Sequence, residues 1–242
     1  MCGIAGIHIR GDKQIEQLGR LADGLLYGIR HRGGDATGIL AMLPSGKVQR
    51  HRVVSTGKGD GVVKFIRERP SFQGNARTVL LHTRFATRGR ADDVRNAHPV
   101  MYGDAAAIHN GTISNDSALF AKHGMKRTAD VDSIVIPALV DKLGWNRVDE
   151  ALNQLRGGAA TAIVHKQHPT EVVLARLRTY PLHVLTTDEV VVWASERRAI
   201  EWTWAALYGA EPQGEWLDVP EHTMLRINGA VERVDLPVPT YQ

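Results

Sequence analysis

At 242 residues the chain is long enough to bury a core of its own. Its 43% hydrophobic and 23% charged content is that of a globular protein, which argues against a disordered or fibrous chain. One cysteine excludes an internal disulfide framework, and no run nears the ~18 apolar residues of a membrane-spanning helix.

The net charge of +4 raises nucleic acid as a partner. The charge is scattered, however, except for five arginines between Arg77 and Arg95. Asp92 and Asp93 interrupt that cluster and Phe85 is its only aromatic residue, so it offers no stacking platform and nucleic acid is not expected. The N-terminus lacks a basic segment followed by an apolar one, so no signal peptide is expected. With a lone cysteine this fits a reducing, cytoplasmic setting and no membrane partner.

In chain order, Gly3 to Ile9 reads as a buried strand. Ile15, Leu18, Leu21, Ala22, Leu25, Leu26 and Ile29 share one helical face, with Asp12 as a candidate cap. Thr37 to Leu43 and Lys47 to Val54 read as strands joined by a Pro44-Ser45-Gly46 turn. A short helix from Gly61 to Arg69 ends before Pro70. Thr78 to Thr83 and Ala105 to His109 are strands; Ser114 to His123 is a helix stopped by Gly124. Val131 to Leu143, despite Pro137, and Val148 to Leu155 are helices.

From Ala159 the pattern changes to short apolar runs between turn residues: Ala159 to His165, Glu171 to Leu177, Leu182 to Thr186 and Val190 to Trp193. Glu196 to Leu207 returns to helix. Glu215 to Val219, Thr223 to Ile227 and Val231 to Val234 close the chain as strands. Runs of strands set apart from runs of helices indicate an α+β fold with antiparallel sheets. No linker-like tract divides the chain, so residues 1–242 are read as one domain.

Cys2 carries the most chemical information. Methionine is readily trimmed before a small second residue, which would leave a thiol and a free α-amine on one residue. Their ordinary pKa values, ~8.5 and ~7.7–8.0, allow a proton to pass between them near neutrality. One residue could then supply nucleophile and base, and Gly3 and Gly6 would let the backbone approach a substrate.

Four further segments stand out. His31-Arg32-Gly33-Gly34-Asp35-Ala36-Thr37-Gly38 fits a tight loop between a helix and a strand. His82-Thr83-Arg84-Phe85-Ala86-Thr87-Arg88-Gly89 ends a strand, where an arginine can clamp a carboxylate; a solvated basic loop is the plainer reading. His109-Asn110-Gly111 offers a side-chain amide and a backbone N–H as paired donors for an oxyanion, or else is a plain Asn-Gly turn. In Asp130-Val131-Asp132-Ser133 an acid could hold a substrate ammonium, or one aspartate could be a helix N-cap.

Taken together, an N-terminal Cys, HRGxDxxG, HTRxAT, Asn96-Ala97-His98-Pro99, HNG, an aspartate at a helix start and Ala194-Ser195-Glu196 resemble one family. They are similar to the glutaminase domain of the class II, N-terminal nucleophile glutamine amidotransferases, and most to the glucosamine-6-phosphate synthase type. The resemblance implies a four-layer αββα sandwich of two antiparallel sheets. It implies hydrolysis of glutamine to glutamate and ammonia, with Cys2 as nucleophile and its α-amine as base.

By the same resemblance Asn110 and Gly111 form the oxyanion hole, and Arg84 holds the glutamine α-carboxylate. Asp132 holds the α-ammonium, Thr87 and Arg88 line the carboxylate end, and Arg32 supports the loop beside Cys2. The chain departs from the hexosamine-phosphate branch at Gly34, where a larger residue is usual, at Phe85, usually Trp, and at Arg88, usually His.

About 45 residues follow Ser195-Glu196, too few for a synthase domain. The expectation is therefore a free-standing subunit that passes ammonia to a separate synthase chain. The alternatives are a stand-alone amidohydrolase of a γ-glutamyl amide metabolite, and a catalytically idle binding protein using the basic loop from Arg84 to Arg95. No cofactor is implied. The eleven histidines are dispersed without metal-ligand spacing, so no metal site is expected.

Overall fold

The computed structural model describes residues 1–11, 13, 15–55, 61–71 and 75–238. The proposed Asp12 cap lies outside the described residues. The elements follow in the order β1 (Gly3–Ile9), α1 (Leu18–Gly28), β2 (Ala36–Met42), β3 (Val48–Val54), α2 (Gly61–Glu68), β4 (Thr78–Arg84), β5 (Val100–Tyr102) and β6 (Ala105–Ile113). They continue with α3 (Asp116–Lys122), α4 (Val135–Leu143), α5 (Val148–Asn153), β7 (Gly157–His165), β8 (His168–Arg176), β9 (His183–Thr186) and β10 (Val190–Ala194). The chain closes with α6 (Arg197–Tyr208), β11 (Glu215–Asp218), β12 (Thr223–Asn228) and β13 (Ala230–Asp235).

Two antiparallel sheets result. One has the order β11-β9-β10-β1-β4-β2-β3, the other β13-β12-β8-β7-β6-β5. Strand alternation directs each sheet's two faces to different cores. In β1, Ala5, Ile7 and Ile9 pack with Leu21, Leu25 and Ile200 of α1 and α6. Ile4 points the other way, to a core shared with Leu80, Ile108, Leu174 and Trp193 between the sheets. On the far side, Ile163 and Val173 pack against Leu139 of α4 and Leu152 of α5. The layers are therefore helix, sheet, sheet, helix, as the sequence reading expects.

Gly6 shows why a glycine stands in so apolar a strand. It pairs with Trp193 across β1 and β10, and a Cβ there would come within 2.2 Å of the Trp193 ring. The missing side chain lets the fully buried indole fill the space between the sheets. No helix among the described residues is long and apolar enough to cross a membrane.

Pro137 sits in the first turn of α4, where its missing N–H costs nothing. The sequence reading starts this helix at Val131. Instead Asp132–Ile134 form a short 3-10 turn that leads into α4.

Candidate active site

Cys2 stands at the head of β1. Gly3 pairs with Thr83 of β4, so the residue before Gly3 must lie beside the segment that leaves β4. The Phe85 N–H donates to Cys2 Sγ at 3.4 Å, and Sγ lies 3.5 Å from the Phe85 carbonyl. Burial pushes the Cys2 thiol up; the Phe85 backbone, the positively charged chain terminus and Arg84 pull it the other way without prevailing. The thiol is thus held neutral, and needs a base to become a nucleophile.

The loop before β2 fixes this region from two sides. Arg32 donates Nε–H to the Cys2 carbonyl at 3.0 Å and Nη1–H to Glu196 Oε1 at 2.8 Å. Glu196 is also met by His31 Nε2 and Arg198 Nε, each at 2.8 Å. Burial alone would raise the Glu196 pKa, but hydrogen bonds from Arg32, His31 and Arg198 bring it down to about 2. Asp35 accepts the Ala86 N–H at 2.6 Å, and its own N–H donates to the Arg84 carbonyl at 2.9 Å. Gly33 lies so close to Arg84 that a Cβ would come within 2.4 Å of its carbonyl carbon.

Arg84 is 2% exposed, so the solvated basic loop is corrected at its first residue. Its guanidinium turns back into the loop that follows. Nη1 donates to the Arg90 carbonyl at 3.1 Å, and Nη2 to those of Arg88 and Gly89 at 2.8 and 3.2 Å. The other arginines of the stretch are paired as well. Arg88 Nη1 donates to the buried Asp116 at 2.7 Å, a carboxylate that Arg127 also contacts. Arg90 pairs with Asp92 at 2.6 Å and Arg95 with Asp93 at 2.7 Å.

Asn110 and Gly111 belong to β6, where they pair with Ala160 and Ala159 of β7. The Asn-Gly turn is therefore corrected: the strand runs through both residues to Ile113. Asn110 is buried, and its Nδ2 has no hydrogen-bond partner among the described residues. Gly111 has φ +145°, and a Cβ there would come within 2.1 Å of the Gly158 carbonyl oxygen. Only glycine fits.

Neither aspartate of the Asp130–Ser133 segment is an N-cap. Val131 holds that position, and no side chain among the described residues caps the turn. Asp132 instead accepts the Ile113 N–H at 2.6 Å and the Ser133 N–H at 3.0 Å, tying the turn to the end of β6. Asp130 bonds Asn96 through its N–H at 2.9 Å.

Five separate chain segments meet at one small cavity of about 20 Å³, lined by Cys2, Arg84, Thr87, Arg88, Gly111 and Asp132 among others. Arg32 and Asn110 are not in its lining; Arg32 reaches the Cys2 carbonyl, and Asn110 adjoins Gly111. A larger cleft of about 490 Å³ beside Arg20, Asp23 and Arg69 shares none of these residues.

The sequence reading assigns nothing to His98, His109 and Ser133, which also line the cavity. Nor does it find the parts played by Glu196, Asp35 and Asp116. Glu196 and Asp35 lie within recognised motifs, but their partners are set only by folding.

A pair of face-to-face antiparallel sheets between helical layers, with a cysteine at the head of a central strand, is the architecture of the N-terminal nucleophile hydrolases. Solved structures share it. The structure titled the allosteric regulatory enzyme of purine biosynthesis matches 98% of this chain and 50% of its own, with a TM-score of 0.78 and 21% identity. Glutamine phosphoribosylpyrophosphate amidotransferase from B. subtilis matches the same shares with a TM-score of 0.74 and 21% identity.

Residues 82–201 match the glutamine amidotransferase domain family. Glutamine–fructose-6-phosphate aminotransferase (isomerizing) of Caulobacter vibrioides is 34% identical over 99% of this chain and 39% of its own length. That of Zymomonas mobilis is 34% identical over 73% of this chain and 29% of its own. This chain thus belongs to an enzyme family, the class II glutamine amidotransferases, on the glucosamine-6-phosphate synthase side. It spans less than two-fifths of the length of these curated relatives.

Proposed function

We propose that residues 1–242 form one glutaminase domain that hydrolyses glutamine to glutamate and ammonia at Cys2. The observation that carries this reading is convergence: a thiol, a cation, an anion and a backbone donor from separate segments line one cavity. Those are the groups an amino-acid amide hydrolase requires.

In this reading Met1 is trimmed, and the freed α-amine takes the Cys2 thiol proton. The thiolate attacks the γ-amide carbon. The oxyanion that forms is met by the Gly111 N–H and by Asn110 Nδ2, a buried donor with no other partner among the described residues. The α-ammonium of the amine then protonates the leaving nitrogen, ammonia departs, and water hydrolyses the thioester.

Arg84 receives the glutamine α-carboxylate and Asp132 its α-ammonium, with Thr87 and Arg88 lining the carboxylate end. The cavity of about 20 Å³ is far smaller than glutamine. Binding must therefore widen it, and Arg84 must exchange carbonyl partners in residues 88–90 for the substrate carboxylate. Arg88 contributes its backbone and its position, since its guanidinium is engaged by Asp116.

We further propose that the ammonia passes to a synthase site outside these residues. Phe85, half exposed at the cavity, gives the mouth an apolar rim that suits delivery of an uncharged molecule. The internal ion pairs of Arg88, Arg90 and Arg95 weigh against a binding protein built on that basic loop.

The test is ammonia release from glutamine by the purified protein and its Cys2→Ala variant. Release by the first and none by the second supports the reading. Equal release by both would overturn it.

A further inference from the structure

Behind the cavity lie three buried histidines from three segments. His82 and His98 stack with ring centroids 4.1 Å apart and planes 20° from parallel. His82 Nε2 meets the His109 carbonyl at 3.1 Å, joining the two sheets, and His109 Nδ1 meets Ser133 Oγ at 2.8 Å. His98 and His109 reach the cavity wall beside Cys2. All three are 3% exposed or less.

Their hydrogen-bonding capacity is not used up. Among the described residues His82 Nδ1, both nitrogens of His98, His109 Nε2 and Asn110 Nδ2 have no partner. Buried polar atoms are nearly always satisfied, by protein or by an ordered small molecule. Burial holds His82 down to about 3 and His98 and His109 below their ordinary range. Each neutral ring therefore carries one N–H and one lone pair, a set that both donates to and accepts from water.

From this geometry we infer that His98, supported by His82 and His109, is a water-positioning residue that holds the hydrolytic water for the second half of the reaction. The inference rests on the glutaminase reading of Cys2. In that step the water oxygen forms a bond to the thioester carbonyl carbon while one water proton passes to the Cys2 α-amine. The C–S bond then breaks, its electron pair stays on sulfur, and the thiolate recovers the proton as glutamate leaves. No group beyond water is consumed. Because the histidines act only on the water, acylation of Cys2 does not depend on them.

His98→Phe tests this, since it keeps the stacked ring and removes both nitrogens. The glutamine kcat should fall on the order of 10²-fold, the cost of misplacing a reactant. Acid-quenched mass spectra during turnover should show the γ-glutamyl adduct on Cys2 becoming the dominant species. Hydroxylamine, a stronger nucleophile, should restore turnover as γ-glutamyl hydroxamate, and labelling of Cys2 by a glutamine-analogue electrophile should keep its wild-type rate. His98→Met, similar in volume but without a ring, provides the same readout should the Phe variant fail to fold.

An unchanged kcat would overturn the inference. So would a fall in kcat without adduct accumulation, or a matching fall in labelling rate, which would place His98 in acylation or in folding. A wild-type protein that never forms the adduct would remove the glutaminase reading itself, and this inference with it.

Discussion

Glu196 anchors Arg32: one carboxylate oxygen accepts its Nη1–H at 2.8 Å, while the same guanidinium donates Nε–H to the Cys2 carbonyl. Cys2 is thus held by a residue 194 positions later, through a single intermediary. Glu196→Gln should loosen that support. We expect a several-fold loss of glutaminase kcat with KM little changed, measured by steady-state kinetics.

The same contact sets a pH window for stability. Glu196 is held at about 2 against an ordinary 4.5, with Arg32, His31 and Arg198 overcoming the effect of burial. A depressed carboxyl pKa stabilises the fold above the unfolded value, and that contribution fades as pH falls from 4.5 toward 2. Partly solvated, the network is worth about 1 kcal/mol. Denaturant unfolding should show wild type losing this margin over Glu196→Gln as pH drops through the window.

Arg84 and Asp132 are assigned to the amino-acid end of the substrate. Arg84→Lys and Asp132→Asn should raise KM for glutamine far more than they lower kcat. A lysine cannot reproduce the fork that reaches the carbonyls of residues 88–90, so the loss should be roughly 1.5–3 kcal/mol. A fall confined to kcat would move these residues to the reacting centre.

Asn110→Ala removes a donor proposed to act only in the transition state. Its kcat should drop about 10²–10³-fold, or roughly 2.7–4 kcal/mol, with KM nearly constant. Because Asn110 lies within β6, paired with Ala160 of β7, a folded Asn110→Gly should be equally impaired. Full activity in that variant would leave the Gly111 N–H as the remaining donor.

Neighbouring glycines in the loop beside Cys2 should respond differently to alanine. At Gly33 the new Cβ meets the Arg84 backbone at 2.4 Å, whereas at Gly34 it meets nothing within 4 Å. Gly33→Ala should cost about 1–3 kcal/mol of stability and most of the activity. Gly34→Ala should be nearly silent in both, read by thermal unfolding and ammonia release.

Much of the fold was legible because strand and helix periodicities differ. The short, nearly uncharged run from Gly3 to Ile9 marks β1 as a strand buried on both faces, and the runs after Ala159 mark the meander. Val100–Tyr102 was not legible: three residues carry too little pattern to separate a strand from a loop. Asn110-Gly111 shows a limit of local reading, since pairing with Ala160 and Ala159 overrides the turn tendency of the dipeptide. Asp132 shows another, because its partner Ile113 lies 19 residues away and cannot be inferred from helix-cap patterns. Likewise the histidines at 82, 98 and 109 look dispersed until β4, β6 and the segment before β5 bring them together.

The account stands or falls on Cys2, the chain's one cysteine. The most direct measurement is intact mass before and after treatment with an electrophilic glutamine analogue. Active protein should lack one methionine and gain one adduct at Cys2, with no adduct on Cys2→Ala. An uncleavable N-terminal extension should abolish both labelling and turnover while leaving the fold intact. Full activity with Met1 retained, or labelling of the Cys2→Ala protein, would contradict the account.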